Sequence, residues 1–115
     1  MKAEERDPQL LKGVLPILVI GLLDQAESYG YELVTRLRES GLHDVSPGTV
    51  YPVLGRLERE GHLSSRLEAS ASGPARKYYR PTPSGQERYR SGLLAWAELR
   101  KVVDTITQRR EETNS

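Results

Sequence analysis

With no Cys and only His43 and His62, the chain has few groups able to attack a substrate, relay a proton or hold a metal. The two histidines stand 19 positions apart, and neither has a nucleophile or a motif carboxylate beside it. Asp44, next to His43, reads as a turn residue. Nucleophilic and general acid–base catalysis both need partners within hydrogen-bond reach, so no catalytic residue is assigned and an enzyme is not expected. Two imidazoles without thiolates make a poor ligand set; neither a metal nor a cofactor is expected. The sequence instead gathers hydrogen-bonding and cationic groups at two places. Ser46-Pro47-Gly48-Thr49-Val50-Tyr51 concentrates hydroxyls beside a glycine, and Arg76-Lys77-Tyr78-Tyr79-Arg80 interleaves three cations with two phenol rings. Such groups suit phosphate oxygens and the edges of bases.

Composition bounds the rest. A chain of 115 residues, 37% hydrophobic and 29% charged, has room for one domain with a modest core and one extra helix. The net charge of +1 does not announce an anionic partner. Its distribution says slightly more: Tyr29 to Gly85 carries 8 basic and 6 acidic residues, whereas Met1 to Ser28 carries 3 and 5. The most apolar stretch, Val14 to Leu23, contains Pro16 and is shorter than the ~20 residues that span a bilayer. Met1 to Asp7 is charged rather than apolar, unlike a secretory leader. A cytoplasmic location without a membrane partner is the expectation.

Elements that would position the two clusters follow from periodicity and caps. Leu10 to Leu23 reads as a first helix, apolar nearly all round and therefore covered on more than one side. Pro16 predicts a helix start near it or a kink. Ser28 is a candidate cap for a second helix with Tyr31, Leu33, Val34 and Leu37 on its inner side, stopping at Gly41. Ser46-Pro47 is a strong start signal for a third helix running to about Gly61. Val50, Val53, Leu54 and Leu57 line one side of it, and Gly48, Pro52, Gly55, Arg56 and Arg59 the other. After Gly61 the period becomes two: Leu63, Ser65 and Leu67 alternate with polar neighbours as in a half-buried strand. Ala69 to Pro74 is turn-forming, and Arg76 to Arg80 is the second strand of a basic hairpin. One of Tyr78 and Tyr79 is expected to pack inward. Thr82-Pro83 opens a long last helix to about Arg110, with Ser84 and Glu87 as an alternative capping box.

Helix, helix, turn, helix, hairpin is the order of a winged helix-turn-helix. The expected class is mainly α with a small two-stranded β-wing, followed by a long C-terminal dimerisation helix. Residues 8–81 would form the DNA-binding domain and 82–112 the dimerisation helix. A helix about 12 Å across fits a major groove of about the same width, and the N-terminal residues of such a helix meet base edges. The expected DNA-facing set is Ser46, Pro47, Gly48, Thr49, Tyr51 and Arg56 from the third helix, with Arg76 and Lys77 on flanking phosphates. Taken singly these residues have plainer readings: Arg56 and Arg59 as a solvated face neutralised by Glu58 and Glu60, the tyrosines as ordinary strand residues. Their order along the chain favours double-stranded DNA as the partner. A winged helix serving as a protein-interaction module is the alternative, since fold does not fix function.

Five blocks carry a resemblance to a known family. Tyr29-Gly30-Tyr31-Glu32-Leu33, Ser46 through Leu54 and Arg56 through Gly61 resemble PadR-like regulators, as do Arg76 through Gly85 and, less specifically, Leu11-Lys12-Gly13. The resemblance covers about Leu11 to Ile106. It implies a dimeric winged-helix repressor with Ser46, Thr49, Tyr51 and the wing's Lys77 facing DNA. Pro16 and Pro81 depart from the family pattern, which more often has a helix-compatible residue at the first and an apolar strand residue at the second.

The last helix predicts a homodimer independently. Trp96, Leu99, Val103 and Ile106 follow steps of 3, 4 and 3 residues, a short coiled-coil seam, with Tyr89 and Leu93 extending it. A helix of about 25 residues is a rod of roughly 37 Å, too long to bury that seam on its own domain. Trp96, the lone tryptophan, reads first as a rung of the seam. A sharper reading sets it at a cavity for a planar aromatic effector, with Gly92 leaving room beside Leu93 and with Leu15 and Leu18 as the far wall.

Overall fold

The computed structural model describes residues 8–114, with side chains through residue 108. Helix α1 spans Pro8–Gln25 without a break, so the start expected near Pro16 is not there. Proline inside a helix costs about 3 kcal/mol. Leu15, Val19, Ile20 and Leu23 on the same helix are buried in the core, each contributing roughly 1.5–3 kcal/mol, so packing outweighs the proline. By length and composition alone α1 passes for a membrane span, with 18 residues at a mean hydropathy of 1.2. Here Leu15, Val19, Ile20 and Leu23 are buried against the rest of the domain, whereas Leu10 and Leu18 are exposed.

Ser28 does not cap the second helix. It lies in a short strand, β1 (Ser28–Tyr29), and Tyr29 is the N-cap of α2 (Gly30–Glu39). The buried Ser28 hydroxyl accepts from Arg36 at 2.7 Å, and the same guanidinium donates to the carbonyls of Ala26 (2.7 Å) and Leu22 (2.6 Å). Arg36 thus supplies a donor to the Ala26 carbonyl just past the end of α1 and a second donor to the Leu22 carbonyl, which already accepts the Ala26 N–H at 3.2 Å. Leu33, Val34 and Leu37 are buried as expected, whereas Tyr31 is exposed. It sits about 110° round the helix from the centre of that stripe. Gly41, with φ +121°, ends the turn after α2.

Helix α3 is Pro47–Arg59, with Pro47 in its first turn and Pro52 accommodated inside. Ser46 caps it through its backbone: its carbonyl accepts the N–H of Thr49 (3.0 Å) and of Val50 (3.1 Å). Val50, Leu54 and Leu57 seal one side of α3 into the core, and Val53 packs at its margin. Gly61, at φ +81°, turns the chain into the sheet.

That sheet has three antiparallel strands in the order β1-β3-β2, one more than the sequence suggests. Strand β2 is Leu63–Ser70 and β3 is Gly73–Pro81, so the turn shrinks to Ala71 and Ser72. Ser28 pairs with Tyr79 and Tyr29 with Tyr78, adding β1 to the far edge of β3. Leu63 opposes Pro81, Ser65 opposes Tyr79 and Leu67 opposes Lys77. Tyr79 is the tyrosine that packs inward. Leu67 was expected on the buried side, yet it is 73% exposed because the hairpin projects beyond the core at that point. Pro81 is tolerated as the last strand residue, where one missing N–H matters little.

Thr82 caps α4 (Pro83–Asn114), accepting the Gly85 N–H on Oγ1 at 3.1 Å and the Gln86 N–H on its carbonyl at 2.9 Å. The Ser84 register is not used; Ser84 Oγ lies 2.8 Å from His62 Nδ1 instead. At 32 residues α4 is longer than expected. Its first turns lie on α1, where Tyr89 covers Gly21 and Ile17 fits against Gly92, and the remainder projects outward. The radius of gyration is 17.0 Å, against roughly 13 Å for a compact chain of this length.

Candidate nucleic-acid interface

The turn between α2 and α3 sets the crossing of the two helices. Val45 is buried within it, its carbonyl accepts Arg38 Nε at 2.8 Å, and the Leu42 N–H closes onto Leu37 O at 3.1 Å. With Val50, Leu54 and Leu57 inward, the opposite side of α3 must face solvent, and Gly48, Thr49, Pro52, Arg56 and Arg59 are exposed there. Ser46 and Pro47, at the helix start, are half-buried. The Ser46 and Thr49 hydroxyls lie 3.3 Å apart and make no side-chain cap, leaving both at the helix tip.

Residues seven apart share a helix face, two turns removed. Thr49 and Arg56 therefore lie along one flank of α3, and Tyr51 and Glu58 along the other. Tyr51 is 46% exposed, and its ring rests on Gly30 at the start of α2, where a Cβ would collide with it. It bridges the two helices of the motif as well as facing outward.

Glu58 ties α3 to both wing strands. Lys77 Nζ, on β3, donates to Glu58 Oε1 at 2.8 Å, and the Ser65 hydroxyl, on β2, donates to Oε2. The Lys77 and Ser65 hydrogen bonds hold the Glu58 carboxyl below its ordinary range, and Glu58 in turn raises Lys77. Lys77, expected free for a phosphate, is thus engaged within the chain. Arg76 points to the other side of the hairpin, with its guanidinium 4.3 Å from the centre of the Tyr29 ring. Tyr29 meets Tyr78 edge-on at 5.5 Å, and Arg66 lies over Tyr78 while pairing with Glu27 and Glu68. Neither Glu58 nor Tyr29 was among the expected site residues. The register that places them beside Lys77 and Arg76 joins segments far apart in the chain.

On α4, Leu93, Trp96, Leu99, Val103 and Ile106 are all exposed. Tyr89 leaves the seam, since it packs against α1. A cleft of about 290 Å³ lies beside Trp96, walled by Val14, Ile17, Leu18 and Leu93. Leu15, expected in that wall, is 1% exposed in the core. Gly92 does not open the cleft either: Ile17 already occupies the space, 2.8 Å from where a Cβ would stand.

A helix-turn-helix with its second helix bared and a cationic hairpin at its side defines a winged-helix DNA-binding regulator. The chain belongs to the PadR-like family of transcriptional regulators, whose family model matches residues 19–91. It is 40% identical over 77 residues to a transcriptional regulator of Mycobacterium tuberculosis, covering 67% of this chain and 70% of that protein. The crystal structure of a PadR-like transcriptional regulator from Bacillus cereus superposes with a TM-score of 0.77 at 39% identity, covering 87% of this chain and 97% of the other. A Streptococcus transcriptional regulator gives 0.78 at 40% identity, covering 88% and 99%.

Proposed function

We propose that the protein is a homodimeric repressor that binds an inverted-repeat operator through α3 and the wing. The observation that carries this reading is the apolar stripe of α4. Leu93, Trp96, Leu99, Val103 and Ile106 follow coiled-coil spacing, and each is at least 43% exposed in the single chain. A second α4 covers such a stripe, and a two-fold axis then carries two copies of α3 to two half-sites. Residues 8–81 read DNA and residues 82–112 join the subunits, in the cytoplasm where the operator lies. Ser46, Pro47, Gly48 and Thr49 approach base edges, Tyr51 and Arg56 flank them, and Arg76 and Lys77 take phosphates.

Sedimentation and footprinting together test this. A dimer at micromolar concentration and two protected half-sites about one helical turn apart, ~10 bp or a multiple, are expected. A monomer, or one asymmetric protected half-site, refutes it. A planar aromatic effector fits the cleft beside Trp96, Leu18 and Leu93, stacking on the indole and releasing DNA. Saturable quenching of indole fluorescence by planar aromatic cations is the expected signature, and calorimetric titration of Trp96→Ala, which has no indole left to report, should show the binding lost. Absence of quenching by such compounds leaves Trp96 as a rung of the seam.

A further inference from the structure

Between Pro8 and Leu23 helix α1 carries a single charge, Lys12. That ammonium opens onto a cleft of about 460 Å³ between α1 and α3, with Arg56 on the facing helix and Gly48, Thr49, Pro52 and Val53 along the floor. No carboxylate lines the cleft among the described residues. Neither Lys12 nor Arg56 has an ion-pair partner among them.

A helix lying in the major groove has a sugar–phosphate strand on each side of it, because helix and groove have nearly the same width. The two flanks of α3 therefore both need groups that accept a polyanion. On the Tyr51–Glu58 flank the wing brings up a cation, Lys77, held there by Glu58. Among the described residues, the Thr49–Arg56 flank has the Lys12 cleft.

We infer that the α1–α3 cleft is a second phosphate track, in which Lys12 and Arg56 clamp the DNA strand opposite the one held by the wing. The inference rests on duplex binding through α3 and adds a residue of α1 to the contact surface. A floor containing Gly48 lets a phosphodiester come close, and cations from two helices fix its place. Contacts of this kind set register on the duplex without reading sequence. A lysine placed for solubility alone would need neither the facing arginine nor a site beside the recognition helix.

The test is the salt dependence of binding to a random-sequence duplex, followed by fluorescence anisotropy between roughly 50 and 200 mM salt. Lys12→Gln keeps much of the side-chain stem and removes the charge. It should flatten the slope of log affinity against log salt by about one unit for each α3 engaged. Affinity at 0.1 M salt should fall roughly eightfold per helix. Lys12→Arg should restore both values. Lys101→Gln, a cation out on α4, controls for loss of net charge and should change neither. A Lys12→Gln protein with wild-type slope and affinity refutes the second track while leaving duplex binding intact. An equal effect from Lys101→Gln refutes it too, as general electrostatics. If the wild-type protein shows no salt-dependent duplex binding, the reading beneath the inference falls with it.

Discussion

Glu58→Gln probes how the wing is held for DNA. Lys77 Nζ is 2.8 Å from Glu58 Oε1, with the lysine side chain 47% and the glutamate 29% exposed. A pair this open to water contributes about 0.2–1 kcal/mol, so the substitution should lower stability by less than about 1 kcal/mol. A phosphate that recruits Lys77 must first displace Glu58, so the same energy opposes binding in the wild type. Removing the carboxylate should then tighten duplex binding by roughly 1.4- to 5-fold per half-site, and the two half-sites of a dimer multiply that gain. Acid should reproduce the stability effect. The Glu58 carboxyl titrates below its ordinary 4.5, so the pair's contribution is complete above that value and is lost as pH falls through the depressed one. On the alkaline side Lys77 is raised, and its contribution fades only above its ordinary 10.5. Urea unfolding of both proteins at neutral and acidic pH, with anisotropy titrations at neutral pH, measures each part. Weaker DNA binding by Glu58→Gln would refute the competition argument and make Glu58 a residue that positions the wing.

Other substitutions test separate parts of the structure. Gly85→Ala should lower the melting temperature by roughly 4–12 °C, equivalent to about 1–3 kcal/mol of overpacking. Its Cβ would collide with the His62 carbonyl, backbone that cannot swing aside; an unchanged thermal transition contradicts that packing. Thr49→Ala should cost ~1–3 kcal/mol on the operator relative to random DNA, whereas equal losses on both would make Thr49 a phosphate contact. Tyr51→Ala should lower stability as well as specificity, because its ring rests on Gly30; thermal melts and competition binding separate the two effects. Leu99→Glu puts a charge into the apolar stripe of α4 that the proposed dimer would bury, and should yield monomers by sedimentation with unchanged helix content by circular dichroism. A dimer that persists moves the interface away from α4.

Signals confined to a few neighbouring residues were legible in the sequence. Ser46-Pro47 and Thr82-Pro83 mark the starts of α3 and α4 because caps and first-turn prolines act on the nearest amides. The inner faces of α2 and α3 follow from the helical period, and the basic hairpin from period two. What the tertiary structure alone decided is where those faces end and which distant groups meet. Ser28 looks like a cap from its neighbours, yet Tyr79, 51 positions on, takes it as a strand partner. Tyr89 has the spacing of a seam residue, but Gly21 offers its ring a surface within the chain. Leu15 and Leu18 are three apart on one apolar helix; the core seals the first and α4 leaves the second open. Lys77 is cationic in any reading, and only the approach of α3 to the hairpin gives it Glu58. Local preferences are worth tenths of a kcal/mol to a few kcal/mol, and burial of whole side chains matches or exceeds them. Where the two disagree, as at Pro16, long-range packing prevails.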